Sequence, residues 1–270
     1  MVERLRSVRW RVALFFVLTL SLTTAATFGW RQARGTWEGL GAMGFLNLVM
    51  LVPGLVALGL QRFVFAEPLK TTLAWRRPTW GWLATAWLLA PLLMLLALAV
   101  GTLLPGVKFS PDLAGLGMLL VQALLVGPTV CLLGGLGEEL GWRGFLYTEL
   151  EPLGFWAQSA TVGLLWGIWH LPLTLQGYAY PQHPFVGSLL LLALMQALAP
   201  IYGRLRARSD SVFVPAVFHG TCSASGLIAV SFVSGGGELL TGFTGVAGLV
   251  AAVCVAAGFL AATAARPASG

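Results

Sequence analysis

The chain has 270 residues, of which 57 % are hydrophobic and only 10 % charged, and its mean hydropathy is +0.84. A soluble domain carries about 25 % charged residues, so this composition excludes a soluble enzyme, a disordered protein and a secreted disulfide scaffold. The long unbroken apolar runs also exclude a transmembrane β-barrel, whose strands alternate polar and apolar over about 10 residues. The expectation is an all-α, polytopic integral membrane protein in a single domain spanning 1–270.

A helix needs about 20 apolar residues to cross the hydrocarbon core. By that measure about eight transmembrane helices are expected, near 11–29, 40–61, 80–104, 113–137 (extendable to 150), 155–173, 185–203, 211–233 and 240–262. The first run follows Arg4, Arg6, Arg9 and Arg11, as a signal peptide would, but a run through Phe28 is long for one and is read as a span. The Glu67–Trp80 connection, with Trp75, Arg76 and Arg77, reads as an interfacial segment.

The net charge is +6. No basic patch interleaved with aromatics is present, so no nucleic-acid partner is expected. Instead the cations sort by side. An N-in arrangement puts Arg4, Arg6, Arg9, Arg11, Arg62, Lys70, Arg76, Arg77, Arg204, Arg206, Arg208 and Arg266 inside and only Arg31, Arg34 and Lys108 outside, twelve against three. The positive-inside rule then expects both termini in the cytoplasm and the chain in the cell membrane. Cys131, Cys222 and Cys254 sit in apolar runs, are odd in number and form no CxxC pair, so neither a disulfide framework nor a cysteine metal site is expected.

An ionisable residue at hydrocarbon depth costs roughly 2.5–3.5 kcal/mol on insertion scales and marks function by default. Glu138 and Glu139 lie in Gly134-Gly135-Leu136-Gly137-Glu138-Glu139-Leu140-Gly141-Trp142-Arg143-Gly144, within an apolar stretch. Adjacent carboxylates in low dielectric need a cation. Arg143 is four residues beyond Glu139, on the same helix face, and is expected to pair with it and leave Glu138 free. The glycines suit close approach of another helix. His170 ends Trp166-Gly167-Ile168-Trp169-His170, and His219 sits one turn before Ser223 in another apolar run. His183 falls in an outer loop and is given no role. If the fourth helix continues to Leu150, Glu138 lies ~18 Å from its inner end, His170 ~22 Å and His219 ~12 Å from theirs, at 1.5 Å per residue. The three can then meet, whereas a helix stopping at Gly137 would keep them apart.

Glu with two His suits hydrolysis in either of two ways. A carboxylate and a histidine activate water while another group stabilises the oxyanion, or Glu and two His hold a zinc whose bound water attacks. No H-E-x-x-H helix and no G-x-S-x-G elbow is present.

At these residues the chain resembles the CPBP family of intramembrane proteases, which comprises the CAAX prenyl endopeptidases (type II CAAX proteases) and the bacteriocin-processing and self-immunity proteins called Abi. The family motif E-E-x-x-x-R corresponds to Glu138-Glu139-Leu140-Gly141-Trp142-Arg143. F-x-x-x-H corresponds to Trp166 through His170, and H-x-x-x-N to His219 through Ser223. Glu138, His170 and His219 follow in family order at spacings of 32 and 49 residues.

The resemblance implies an eight-helix fold with the protease core at about 113–233, and an endopeptidase site inside the membrane, open to the inner side. By the family pattern Glu138 and His170 activate water, His219 and Ser223 hold the oxyanion, and Arg143 organises the Glu138–Glu139 pair. Two departures stand out: Ser223 replaces Asn, and Trp166 replaces Phe and is expected to preserve aromatic packing. The family is often labelled metalloprotease. Whether Glu138, His170 and His219 hold a divalent metal such as zinc, or work without one, stays open. The implied substrate is a membrane-associated peptide or protein, prenylated CAAX-type or bacteriocin-like, met among membrane lipid. A non-catalytic scaffold or self-immunity protein of the same fold is the alternative. A transporter would call for an inverted repeat, and none is visible.

Overall fold

The computed structural model describes residues 2–111 and 113–264, with side chains from residue 8 onward. The side chains of Arg4 and Arg6, and the whole of Arg266, lie outside the described residues. The fold is nearly all-α. In order it forms α1 (Val2–Gln32), α2 (Gly39–Gly59, continued by a π turn over Leu60–Val64), the short α3 (Leu69–Thr72) and α4 (Trp80–Thr102). Next come α5 (Leu116–Val121, continued as π over Gln122–Val126), α6 (Leu132–Glu139), a π segment (Leu140–Leu146) and α7 (Tyr147–Glu149). After these come α8 (Phe155–Thr174), α9 (Pro184–Ser209), α10 (Phe213–Ser225), α11 (Ile228–Ser231), α12 (Gly237–Leu240) and α13 (Val246–Ala264). The strands β1 (Lys108–Phe109) and β2 (Val233–Ser234) pair antiparallel.

Among the described residues, six helices are long and apolar enough to cross a membrane, rather than the eight expected: Val8–Gln32, Gly39–Val64, Trp80–Gly101, Pro184–Ser209, Phe213–Ser231 and Val246–Ala264. Both shortfalls fall on the segments that carry the glutamates and His170. The 113–150 stretch breaks at Gly127–Cys131 and resumes as α6, so it is helical through Glu149 but not one rod from 113. The helix α8 is 20 residues long but spends Gln158, Ser159, Thr161 and His170 on polar positions.

The helix α6 lies between α2 and α10, while α8 packs on α9, and α4 on α10 and α13. Glycine allows the wedge. A Cβ at Gly137 would stand 2.8 Å from the Met50 carbonyl of α2, and one at Gly135 2.7 Å from the Ala216 carbonyl of α10. Small residues let membrane helices approach to backbone contact in this way.

The two ends of the bundle are tied differently. At the basic end, Arg11 pairs with Glu67 at 2.7 Å and Glu149 at 3.2 Å, Arg76 and Arg206 both reach Asp210, and Ser211 donates to the Arg76 carbonyl at 2.6 Å. At the far end, the Trp37 indole donates to the Gln176 carbonyl at 2.8 Å and the Tyr180 hydroxyl to the Thr244 carbonyl at 2.6 Å. There the backbone N–H groups of Gln182 and His183 both donate to Glu238.

Gly137→Ala is expected to destabilise the protein by about 1–3 kcal/mol through overpacking against α2 backbone. Gly59→Ala, where a Cβ meets nothing within 4 Å, should be neutral or slightly stabilising. Thermal unfolding of the two variants in detergent checks this. Equal effects would mean that the α2–α6 approach is not tight.

Candidate active site

The helix α6 ends on the two glutamates, and the π segment that follows carries Arg143. Such local widening of a helix occurs often at functional sites. Glu138, Glu139, Arg143 and His219 are 3 %, 0 %, 0 % and 8 % exposed, so three formal charges lie in the interior. Arg143 Nη1 donates to Glu139 Oε1 at 3.0 Å, the expected pair. Its guanidinium also lies over the rings of Trp166, at 4.3 Å, and Tyr202, at 4.2 Å. Aromatic faces attract a desolvated cation.

The His219 ring joins the same carboxylate, with Nδ1 2.8 Å from Glu139 Oε1. A carboxylate held by Arg143 accepts, so Nδ1 carries the proton, and Nε2 is left facing Glu138 Oε1 at 3.7 Å. A neutral His219 therefore has no spare N–H, because its single one is spent on Glu139. The oxyanion role implied for it requires the doubly protonated ring. Charge counting allows this: Glu138, Glu139 and Arg143 sum to one negative charge, which one further proton on Glu138 or His219 cancels.

Glu138 is not free, contrary to expectation. The Trp166 indole donates to its Oε2 at 2.8 Å. Sequence reasoning took Trp166 as packing only; the signal was available, since indole carries an N–H where phenyl carries none. Tyr202 was missed altogether. His170 Nδ1 lies 2.8 Å from the Trp166 carbonyl one turn back. A carbonyl only accepts, so this fixes the proton on Nδ1 and leaves Nε2 of a neutral ring as an acceptor.

Glu138, Trp166, His170, His219 and Ser223 line one cavity of about 260 Å³, whose walls are otherwise mostly apolar. Glu139 and Arg143 stand behind it and act through His219 and Trp166. His183 sits apart at the far end, paired with Glu238. The cavity wall includes Tyr178, Ala179, Phe243 and Thr244. It thus runs toward the end of the bundle where Tyr180 and Glu238 make their contacts. Among the described residues no group of three or more His, Cys, Asp or Glu is arranged to hold a metal ion. Glu138 Oε2 is taken by Trp166, and His219 Nδ1 by Glu139. Glu138 Oε1 and the Nε2 atoms of His170 and His219 are left outside these hydrogen bonds.

A buried acid pair and two histidines thus stand together inside a helical membrane bundle. Residues 120–225 match the family model described as Type II CAAX prenyl endopeptidase Rce1-like, a stretch that contains all three motifs. The CPBP recognition read from the motifs holds over that segment, and the family implies a protease. No curated protein matches the chain.

Arg143→Ala removes the cation from a fully buried carboxylate and is expected to cost about 3–5 kcal/mol. Adding Glu139→Gln should recover part of that loss. Thermal unfolding of the single and double variants in detergent reads it. A double variant no more stable than Arg143→Ala would mean that the pair carries no such coupling.

Proposed function

We propose that the chain is a CAAX-type intramembrane endopeptidase that hydrolyses a peptide bond in a membrane-associated protein or peptide. The observation that carries the reading is the convergence of Glu138, His170, His219 and Ser223, from three separate helices, on one cavity inside the bundle. A scaffold has no need to hold charge there, where burial is costly.

Glu138 is the base. Trp166 holds Oε2, which leaves Oε1 to take a proton from a water as its oxygen attacks the scissile carbonyl. His170 presents an unprotonated Nε2 that orients this water. His219 carries the site's further proton on Nε2 and donates to the oxyanion, with the Ser223 hydroxyl one turn on as a second donor. Collapse of the tetrahedral intermediate breaks the C–N bond, and the proton held by Glu138 passes to the leaving amine. Glu139 and Arg143 do not touch the reacting atoms; they fix the His219 ring. The apolar wall of Leu46, Val49, Met50, Leu191 and Met195 suits hydrophobic substrate side chains.

General acid–base groups contribute about 10²–10⁴ in rate. Glu138→Ala and His170→Ala are each expected to lose at least that, while His183→Ala stays near wild type and Ser223→Asn keeps or raises activity. The assay is cleavage of a membrane-peptide library by the detergent-purified protein, run with and without a chelator. Normal turnover by Glu138→Ala would refute the assignment of the base.

A further inference from the structure

The stretch from α3 to the start of α4 carries three cations that the candidate active site does not use. Lys70, Arg76 and Arg77, with the rings of Trp75 and Phe213, line a pocket of about 700 Å³ at the basic end of the bundle. Arg76 is committed, since it shares Asp210 with Arg206. Lys70 and Arg77 are exposed, and among the described residues neither enters an ion pair. No acid is among the residues that line the pocket. Asp210, which reaches Arg76 from outside it, is already spread over two guanidiniums.

The backbone frames this pocket closely. The Trp75 N–H donates back to the Lys70 carbonyl at 3.0 Å. Ala74 takes the left-handed conformation, φ 51°, which a residue with a Cβ adopts uncommonly. Its carbonyl receives the Val212 N–H at 3.0 Å, and the Arg76 carbonyl receives the Ser211 hydroxyl at 2.6 Å. The turn between α9 and α10 thus clamps the chain on both sides of Trp75. The Trp75 ring meets Phe213 edge-on, with centroids 4.8 Å apart.

The aromatic rim says which anion the cations suit. Trp75 is 43 % exposed, and Trp80, three residues beyond Arg77, is 85 % exposed. Indole rings at the ends of membrane helices sit at head-group level, so the cations and the apolar rim share the depth at which phosphate gives way to acyl chain. A soluble anion would use the cations and leave the rim idle. Basic pockets between transmembrane helices hold the head groups of anionic lipids. We propose that this pocket binds the phosphate group of an anionic phospholipid. Lys70 and Arg77 meet the phosphate oxygens, the guanidinium as a two-pronged donor and the ammonium as a point charge, while Trp75 and Phe213 border the glycerol and the first acyl carbons. The site uses no residue of the candidate active site and is independent of the protease reading.

The test uses the full chain, purified in neutral detergent and stripped of lipid. Phosphatidylglycerol, phosphatidylcholine or inorganic phosphate is added, and thermal unfolding and lipid retention by native mass spectrometry are read. Phosphatidylglycerol is expected to raise the unfolding temperature and stay bound, and the other two to do neither. Combining Lys70→Gln with Arg77→Gln should weaken retention about five-fold for each cation removed. Lys70→Arg, which keeps the charge, should retain the lipid. Arg62→Gln, which removes an exposed cation at the same end but outside the pocket, should behave as the unaltered chain. Undiminished retention by the double Gln variant would overturn the proposal. Loss from Lys70→Arg, or a loss from Arg62→Gln as large as that from the pocket pair, would overturn it too, the latter by showing attraction to net charge alone. Stabilisation by inorganic phosphate equal to that by phosphatidylglycerol would overturn the lipid assignment in favour of a free anion.

Discussion

The fold has to keep three formal charges dry. Glu138, Glu139 and Arg143 lie within six consecutive residues and are almost fully buried. Taking charges from water costs several kcal/mol per ion even after relaxation, and their mutual attraction repays it only where the geometry is good. Much of the local architecture answers that demand. Arg143 pairs with Glu139, the rings of Trp166 and Tyr202 lie against the guanidinium, and His219 and Trp166 each reach one carboxylate oxygen from two further helices, while Glu139 Oε2 and Arg143 Nη2 stay without a partner. The glycines of α6 are the geometric side of the same solution, because only backbone-level approach of α2 and α10 leaves no room for lipid or bulk water around the pair.

The same contacts set the division of labour. Glu139 is bound by both Arg143 and His219, so its Oε1 is committed to structure. Glu138 keeps one oxygen toward the cavity. Each histidine has its Nδ1 engaged, His170 with a carbonyl and His219 with a carboxylate, so both point Nε2 at the shared space. Two adjacent glutamates thus acquire different surroundings, one holding a histidine and the other keeping an oxygen toward the cavity.

Sequence exposed those parts of the site that depend on spacing. The Glu139–Arg143 pair follows from the helical period, and the grouping of Glu138, His170 and His219 follows from depth counted along each helix. Parts set by tertiary contact were not legible. The Trp166–Glu138 hydrogen bond joins residues 28 apart, and substitution for a phenylalanine disguised it as packing. The span count missed because α8 and the 113–150 stretch are the segments that hold polar groups, so the helices nearest the site are those least like ordinary spans. The break at Gly127–Cys131 had a visible sign in Pro128, which has no N–H to donate to the preceding turn.

The proposed site requires that the buried carboxylate of Glu139 work through the histidine it holds. Measuring peptide cleavage for Glu139→Gln, His219→Gln and the double variant tests this directly, because groups that act as one unit give strongly non-additive losses. If Glu139 serves only to hold His219, the double variant cleaves no more slowly than His219→Gln alone. Losses that multiply in the double variant would show the two side chains acting independently and would contradict the proposed site.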